Sequence, residues 1–562
     1  MKRNILIASL GLLLMSSCGS LDLNPLSDGS GDTWNSTPEE IVMSLNGLYK
    51  DAFWMTDQDD WTDDFIYRDA TSPIAGATIN GETDFVKNWW TNSYKAIARA
   101  NAVVQSVDRA AGSLSQTQIS RYSAEARFVR AAMYSRLLSH YGNIVYTEAV
   151  LDIEEALKLK QMDKAEVLKK IYADFDSAIA NLPKSYAASE LKRATSGAAL
   201  ALKARIALQM NDWATARDAA KACMDQKVYR LHDNFSNLFI SKTKNSPETI
   251  FGLPRSVALK VTLGGLQDYV TRNAGGWGAK DPSWDLFCAF LCKDGLPIDE
   301  SPLFNPRKPF LNRDPRCAAT IVEFQTIHLG YTYEPHPDTL KVYKVADNKY
   351  VENKDTRSVA IFASYNGLIW KKGVDGDWLL NSWQAEPDKI IVRYADVLLM
   401  YAEAKIELNE IDQSVLDAIN MVRARAYGVA YTATASYPAV TTTDRTALRR
   451  ILRTERRMEF AMEGVRYMDI IRWKIAGKVL NKPNFGLLDP ADLRAKVTGP
   501  GLWFFPSVPP VDEDGVADFS AMYNAGQIKQ IALRKFDESR QYVWPIPSTE
   551  VLISNLIQNP NY

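Results

Sequence analysis

The sequence predicts a mainly α-helical protein, in which an α-α superhelix of stacked helix pairs supports an irregular, loop-rich part with a few short strands. Over most of the 562 residues, apolar side chains recur three and four positions apart, which is the spacing of an amphipathic helix. Between Leu231 and Trp383 this spacing weakens, and Gly, Pro and Asn interrupt short apolar runs. We therefore expect one compact body with helical parts at 38–230 and 391–562 and a loop-rich, ligand-binding part at 231–390.

The ends of the first helices are marked by capping residues. Thr37 and Pro38 supply an N-cap and a proline at the first helical position, and acidic residues follow them. Longer amphipathic patterns predict helices over 84–109, 119–141 and 165–182. Gly142 is expected to end the second of these helices, and Pro183 to end the third.

Two segments, 198–226 and 395–426, each predict a pair of helices joined by a short polar turn. When the segments are aligned on Leu208 and Leu408, they share residues at three further positions. These positions are Ala204/Ala404, Ile206/Ile406 and Asp212/Asp412. Each pair spans about 30 residues, close to the period of about 34 residues in tetratricopeptide (TPR) repeats. The sequence therefore predicts TPR-like stacking of helix pairs.

The most information-dense segment is 443–476. Thr443 or Asp444 can cap a helix there, and no proline follows before Pro483, so we expect a continuous helix. One face is apolar, and charged residues of both signs lie between the apolar ones at i,i+3 and i,i+4 spacings. The charged stripe over 455–466 could bind nucleic acid or act as acid and base. Because its carboxylates lie among arginines, we interpret it as a structural ion-pair network.

The first eighteen residues have the pattern of an exported lipoprotein. A basic start and an apolar run over residues 2–14 precede small residues and Cys18. We expect 1–17 to be the signal peptide, Cys18 to carry the lipid, including palmitate, and 18–37 to be a flexible tether. A cleaved protein without an anchor is the alternative. No other stretch reaches 18 apolar residues, so the mature protein is predicted to be anchored rather than threaded through the membrane.

The remaining cysteines are Cys223, Cys288, Cys292 and Cys317. Cys288 and Cys292 lie four positions apart in a segment that we expect to be helical, and the chain has no CxxC motif. Although four cysteines permit disulfides, we predict that they are buried small hydrophobic residues.

Charge and motifs argue against several classes of protein. The net charge of −1 is spread evenly, which is not typical of a nucleic-acid-binding protein. The chain contains no HExxH, GxSxG, Walker A or GxGxxG motif, and its four histidines do not have a metal-ligand spacing. The sequence does not exclude a carboxylate pair for glycoside hydrolysis, because the two residues of such a pair can be distant in sequence. However, no particular pair stands out. We predict no enzymatic activity, no metal and no cofactor.

Residues 57–64 contain five aspartates. We interpret them as a solvated acidic loop; the alternative, a calcium site, lacks the glycine and the regular ligand spacing of an EF-hand. Trp61 lies within this loop, and a large apolar ring surrounded by acids is hard to bury by helix packing. We therefore predict that Trp61 is an exposed platform for a ligand.

A second aromatic candidate is Trp277, which stands between glycines in the segment 273–278 and has little to pack against locally. Tyr269 precedes it and is a third candidate. Further candidates in other loops are Tyr331, Tyr333, Trp378 and Trp383. Loops held by a rigid scaffold commonly carry function, so we predict that these rings contact a ligand; the alternative is ordinary packing.

The charged residues from Glu455 to Trp473, in the order ERRxExxxEGxRxxDxxRW, resemble the signature helix of the RagB/SusD family. Similar motifs recur at Tyr94-x-x-Ile97-x-x-Ala100-Asn101, Asn312–Arg316, Ile391–Leu399, Val543–Pro547 and Gln558–Tyr562. The resemblance implies an outer-membrane lipoprotein that binds nutrients, typically glycans, for a partner transporter, with TPR-like helices facing that partner. In the family's starch-binding founder three aromatic residues form a glycan arc, and Trp61, Tyr269 and Trp277 fall at similar places.

The resemblance and the aromatic loops together predict a glycan-binding lipoprotein, lipid-anchored in the outer membrane and exposed at the cell surface. It would capture oligosaccharides or polysaccharides and deliver them to a SusC-like TonB-dependent transporter. Two alternatives stay open. One keeps the same role as a lid on the transporter with peptide cargo, and the other is a helical-repeat scaffold that binds only protein.

Overall fold

The computed structural model describes residues 37–562. The predicted signal peptide at 1–17, the predicted lipidation site Cys18 and nearly all of the tether at 18–37 lie outside the described residues.

The described part is mainly helical, and its elements are numbered here in chain order. The helices are α1 Pro38–Gly47, α2 Asp84–Arg109, α3 Gln116–Tyr141, α4 Ile153–Lys158, α5 Lys164–Asn181, α6 Ser196–Gln209, α7 Trp213–Asp225, α8 Trp284–Ala289, α9 Pro315–Thr320, α10 Tyr394–Glu407, α11 Gln413–Ala426, α12 Arg445–Phe460, α13 Arg466–Arg472, α14 Ala476–Leu480, α15 Pro490–Leu493, α16 Ser520–Asn524 and α17 Ser548–Ile553. The strands are β1 Phe65–Tyr67, β2 Ile144–Val145, β3 Gln161–Met162, β4 Thr249–Leu253, β5 Lys280–Pro282, β6 Ile327–His328, β7 Tyr331–Thr332, β8 Lys341–Lys344, β9 Lys349–Glu352, β10 Lys389–Arg393, β11 Pro483–Gly486 and β12 Lys529–Leu533.

The first helices begin and end close to where their capping residues predict. Thr37 and Glu40 form a reciprocal capping box at the start of α1. Helix α2 matches the prediction at both ends, and α3 ends at Gly142, which has a φ of +72°. Helix α5 stops at Asn181, just before Pro183, because a proline cannot continue the hydrogen-bonding pattern. These predicted helices are confirmed.

The two predicted helix pairs are α6–α7 and α10–α11. Asp212 caps α7 by accepting a hydrogen bond from the backbone N–H of Thr215, and Asp412 caps α11 in the same way through Ser414. Both turns contain an asparagine in the left-handed conformation, Asn211 with a φ of +60° and Asn409 with a φ of +58°. Helix α10 packs against α7, so the pairs stack on each other as predicted.

The segment 443–476 is not the continuous helix that its apolar pattern predicts. Asp444 does cap α12, but the helix ends at Phe460, and Met462 and Gly464 have φ values of +62° and +68°. A Cβ on Gly464 would lie 2.1 Å from the carbonyl oxygen of Asp57, so this backbone lies directly on the acidic loop. The prediction of one continuous helix is wrong, because the chain between α12 and α13 packs against a distant loop, which helical periodicity does not reveal.

The region between α7 and α10 has the irregular character that the sequence predicts, and within it the structure has only the short helices α8 and α9. Strand β1 pairs with β5 and β4 pairs with β10, both antiparallel, while β6, β7, β8 and β9 form a four-stranded sheet. The β1–β5 and β4–β10 pairs join this part to the helical scaffold at two points.

Two large apolar clusters form the core. The first fills the helical scaffold, and the second joins the loop-rich part to the C-terminal segments through aromatic side chains such as Trp284, Trp370 and Phe505. The four described cysteines are free and buried, which confirms the prediction for them. However, α8 ends at Ala289, so Cys288 and Cys292 do not share one helix as expected.

Candidate ligand-binding site

The charged stripe of α12 is a buried ion-pair network. Glu459 accepts hydrogen bonds from Arg393 at 2.7 Å and Arg316 at 3.1 Å and also bonds to Arg425. Burial alone would raise the pKa of Glu459, but these guanidinium groups outweigh it and hold the pKa well below its usual range. Because Glu455 and Glu459 are fully buried, these two carboxylates are not available to nucleic acid or to an acid–base reaction at the surface. The structural interpretation is confirmed.

The acidic loop belongs to the same system of buried charges. Asp63 accepts hydrogen bonds from Arg457 at 2.8 Å and from Arg466 at 3.0 Å, and Asp64 accepts one from Arg457 at 2.7 Å. Both carboxylates are buried, so the interpretation of a solvated loop is wrong for them. Arginines on α12 and α13 compensate the cost of burying these aspartates.

Trp61 is buried for a related reason. Its ring is 3% exposed and lies between the rings of Phe85, Tyr467 and Trp544, with centroid separations of 5.0, 5.4 and 5.2 Å. The prediction that Trp61 is exposed is wrong. The neighbouring carboxylates of Asp63 and Asp64 point inward to arginines, and the ring of Trp61 lies in the core beside them instead of facing solvent.

The loop around Trp277 has a backbone that is held by hydrogen bonds on both sides. The backbone N–H of Trp277 donates to the carbonyl of Gln267 at 2.6 Å, and that of Gly278 donates to Val270 at 2.9 Å. A Cβ on Gly276 would lie 2.3 Å from the carbonyl oxygen of Val270, so only glycine fits there. The backbone of the loop is therefore closely packed on both sides of Trp277.

The same loop is attached to its surroundings by side chains. Asp355 accepts a hydrogen bond from the backbone N–H of Arg272 at 2.6 Å, and burial raises the pKa of Asp355 to about 6. The side chain of Asn273 donates to the carbonyl of Glu352 and accepts from the backbone of Lys354, both at 2.8 Å. These contacts connect the loop to the end of β9.

The indole of Trp277 itself is 50% exposed, although the backbone beneath it is packed. Arg68 and Arg272 both donate to the Trp277 carbonyl, at 3.4 and 3.3 Å, and the guanidinium of Arg68 lies 5.3 Å from the ring centroid of Phe362. Phe362 is 49% exposed, and Tyr67 on β1 is also exposed. The surface thus combines apolar rings with guanidinium groups. The rings can stack on a flat apolar face of a ligand, and the guanidinium groups can donate hydrogen bonds to it.

The other predicted aromatic residues are distributed differently. Tyr269 is half-buried, packs edge-on against the buried ring of Trp378 at 6.2 Å and has Lys280 above it at 5.5 Å. Trp383 is half-buried, and its ring lies next to Gly275 in the Trp277 loop. Among the predicted aromatic residues, Trp277 is the most exposed, whereas the ring of Trp378 is buried and cannot contact a ligand.

The two candidate tyrosines, Tyr331 and Tyr333, differ in burial. Tyr331 on β7 is half-buried beside Lys344, whose ammonium group lies 5.8 Å from its ring. Tyr333 is 1% exposed and donates a hydrogen bond from its hydroxyl to the carbonyl of Gly367 at 2.9 Å. The predictions that Tyr333 and Trp378 face a ligand are wrong in this structure, because both side chains are in the core.

Local sequence patterns revealed neither Arg68, which bonds to the Trp277 carbonyl, nor Phe362, whose ring lies against Arg68. They also did not reveal that Tyr67, which precedes Arg68, is exposed. One signal was available: Ile361 and Phe362 form an apolar pair in a segment without helical periodicity, and both are exposed. Arg68 and Trp277 are 209 residues apart in the chain. They are brought together by the pairing of β1 with β5, which the sequence does not reveal.

Within the part of the chain that the structure describes, no group of three or more His, Cys, Asp and Glu side chains is arranged to hold a metal ion. Likewise, no helix among residues 37–562 combines the length and the apolar character needed to cross a bilayer.

Family comparisons agree with this architecture. The profile of the SusD family matches residues 247–562, and a second profile, described as starch-binding and associating with the outer membrane, matches residues 35–208. The chain belongs to the SusD family, so the resemblance in the sequence motifs is confirmed.

Individual relatives span most of the chain. The SusD-like protein P25 of Formosa agariphila is 25% identical over 409 residues, which are 71% of this chain and 72% of its own length. A SusD-like protein of Bacteroides ovatus is 23% identical over 527 residues, covering 86% of this chain and 84% of its own. The crystal structure of a SusD-like carbohydrate-binding protein from Bacteroides fragilis is 29% identical, has a TM-score of 0.75, and covers 92% of this chain and 98% of that one. The mainly helical, TPR-like fold class is confirmed by this similarity.

Proposed function

We propose that this protein is a surface lipoprotein that binds oligosaccharides or polysaccharides and delivers them to a SusC-like TonB-dependent transporter. The observation that carries the proposal is the exposed indole of Trp277 on a loop whose backbone is held by hydrogen bonds and by Gly276. A ring presented in this way loses little conformational freedom when a ligand stacks on it.

The chemistry around Trp277 suits a sugar. Pyranose rings have an apolar face that stacks on an aromatic ring, and the guanidinium groups of Arg68 and Arg272 can donate hydrogen bonds to hydroxyl groups. Each stacking ring contributes on the order of 1 kcal/mol beyond its buried area. With Trp277 and Phe362 as the open rings, we expect dissociation constants of roughly micromolar to millimolar. Such weak binding allows release to a transporter.

The family supports a binding function rather than an enzymatic one. The Bacteroides fragilis relative is described as carbohydrate-binding, and the profile that matches residues 35–208 is described as starch-binding. Their descriptions name no reaction, and we propose none for this protein.

Calorimetric titration of the purified protein with plant, host and microbial glycans tests the proposal. We expect one glycan class to bind, Trp277→Ala to abolish that binding without lowering the melting temperature, and Trp277→Phe to retain part of it. Tyr523→Ala is the matched control, because Tyr523 is 45% exposed but contacts Phe485 on another part of the surface. Binding that survives Trp277→Ala would move the site to other loops. The absence of binding across the panel would contradict the glycan proposal.

The same surface offers a second candidate, in which the cargo is a peptide. Two guanidinium groups beside an exposed indole also fit an acidic peptide, since arginine pairs readily with carboxylates. A panel of acidic and neutral peptides, titrated in parallel, distinguishes the two: peptide binding that requires Arg68 and Arg272, without glycan binding, would favour this candidate.

The transporter partnership and the lipid anchor at Cys18 belong to the proposal. We propose that the transporter binds at α4 and α17, because these two short helices bury none of their residues. Ile153 in α4, Leu552 in α17 and Ile557, four residues after α17, are each 79% exposed. Gln161 and Ile557 exchange two hydrogen bonds, which holds the two segments together. Exposed apolar groups of this kind are typical of an interface.

Co-purification from the outer membrane tests the partnership. We expect the double variant Leu552→Glu/Ile553→Glu to lose the transporter while retaining glycan binding. Leu259→Glu, at an apolar position that is 76% exposed in the loop-rich part, is the control and should retain both. Replacing Cys18 by alanine should release the protein from the membrane fraction.

A further inference from the structure

A cavity of about 180 Å³ lies within the helical scaffold and shares no lining residue with the loop of Trp277. It is lined by residues of α2, α3, α6 and α10, by Arg456 on α12, by Ile391 on β10 and by the segments 54–57 and 463–472. The volume is many times the roughly 10–15 Å³ that one water molecule requires. Its apolar lining includes Trp54, Trp89, Leu202, Met400 and Met468. A small organic molecule would therefore find both space and an apolar surface there.

Three arginines of the lining are matched to carboxylates. Arg205 donates to Asp396 at 2.7 Å, Arg456 to Asp469 at 2.8 Å and Arg472 to Glu403 at 2.9 Å. Burial alone would raise the pKa of Asp396, but Arg205 and Arg456 lower it to about 2. These groups compensate one another and leave little charge for a ligand.

Arg136 differs from the other three. Its Nη1 donates to the backbone carbonyl of Phe53 at 2.6 Å, and its guanidinium lies 4.9 Å from the ring centroid of Trp89. Among residues 37–562, no carboxylate forms an ion pair with it. Asp57, whose charge acts on it, instead lies 3.0 Å from Nε2 of His140. Burial lowers the pKa of Arg136 to about 10, so it remains a cation at neutral pH.

Several residues that line the cavity are half-buried, so the cavity is not sealed from solvent. Ser135 and Ser139 on α3, and Arg205 and Gln209 on α6, line the cavity and are half-buried. Each pair is separated by one helical turn, so its two side chains lie on the same helix face, and we call these four half-buried residues the rim. Arg136 follows Ser135 directly and thus lies close to this rim.

We propose that this cavity binds a small organic monocarboxylate with an apolar body, whose carboxylate pairs with Arg136. A guanidinium presents parallel N–H donors that match the two oxygens of a carboxylate. An inorganic dianion would need several free donors, whereas the lining has one guanidinium without a carboxylate partner among the described residues. The tryptophan and methionine side chains would contact the apolar body of the ligand.

Titration calorimetry of the purified full-length protein with 3-phenylpropionate, and with 3-phenylpropan-1-ol as its neutral counterpart, tests the proposal. We expect the acid to bind at least tenfold more tightly than the alcohol, which corresponds to about 1.4 kcal/mol. Arg136→Met should remove this preference, and Arg136→Lys should restore part of it. Arg99→Met is the matched control, because Arg99 also lies over an aromatic ring, that of Phe53 at 5.1 Å, but does not line the cavity.

A second variant keeps the proposal testable if Arg136→Met fails to fold. Ser139→Phe leaves every charge in place and fills the rim, so it should weaken binding of the acid at least tenfold. Equal affinity for acid and alcohol, the absence of acid binding, or an unchanged preference in a folded Arg136→Met variant would each overturn the proposal.

Discussion

Gly464 packs its backbone onto the carbonyl of Asp57, at a distance that leaves no room for a side chain. The contact lies in the segment between the end of α12 at Phe460 and the start of α13 at Arg466, and it holds the acidic loop against the scaffold. The backbone N–H of Gly464 also donates to Oδ2 of Asp59 at 3.3 Å. Lys372 meanwhile donates to the carbonyls of Glu459 and Ala461, at 2.9 and 2.8 Å, which satisfies the groups freed at the helix end.

The first prediction concerns this contact. Gly464→Ala should lower the free energy of unfolding by about 2 kcal/mol or more, because it adds a clash to a left-handed backbone. Urea unfolding followed by circular dichroism measures the change. Gly112→Ala is the control, since no atom lies within 4 Å of the point where its Cβ would be placed, and it should change stability by less than about 0.5 kcal/mol. Equal effects would contradict the argument.

The second prediction concerns the buried network. Arg393 is 2% exposed and bonds to Glu248, Glu459 and Glu463 at 2.6–2.7 Å. Arg393→Met should therefore cost about 3–5 kcal/mol, because it leaves buried carboxylates without their partner. Lys221→Met, in an exposed pair with Asp225, should cost less than about 1 kcal/mol. Thermal unfolding of both variants provides the comparison, and a mild effect at Arg393 would argue against the assigned role.

The third prediction concerns pH. Burial, followed by the charge of Asp64, raises the pKa of Asp59 from 3.8 to about 8. Between pH 4 and 8 the folded protein therefore holds a proton that the unfolded chain has released, so this group makes stability fall as pH rises through that window. Asp59→Asn should reduce the fall by roughly 1–3 kcal/mol between pH 5 and 8. Denaturant unfolding at several pH values, with exposed Asp225→Asn as control, measures it. An unchanged slope would show that Asp59 ionises normally.

The fourth prediction separates two tryptophans that the sequence treats alike. Trp61→Ala should lower the free energy of unfolding by about 3–5 kcal/mol, because it removes a ring from the aromatic core. Trp277→Ala should change it by less than about 0.5 kcal/mol, because its ring is half exposed. Differential scanning calorimetry compares the two. A large loss of stability in Trp277→Ala would undermine its use as a binding variant.

Much of the scaffold was predictable because its signals are local. Helix caps, prolines and three-four spacing act within a few residues, which is why α2 could be predicted to both ends and why the repeat of α6–α7 in α10–α11 was visible. The interpretation of the charged stripe as structural was also correct, because its mixture of charges suits ion pairs, but the partners of Glu459 are Arg316, Arg393 and Arg425, which lie on other elements. The irregular character of the middle region followed from its Gly, Pro and Asn content.

The sequence by itself determined the helical class, the helix pairs, the family and the exposed indole of Trp277, whose flanking glycines leave it without local neighbours. Only the tertiary structure decided that Trp61, Tyr333 and Trp378 are buried, that α12 and α13 are separate helices, and that Arg68 lies beside Trp277. The physical reason is the same in each case. Whether a side chain is buried or a charge is paired depends on residues from distant parts of the chain. No local pattern specifies which of those residues will be in contact.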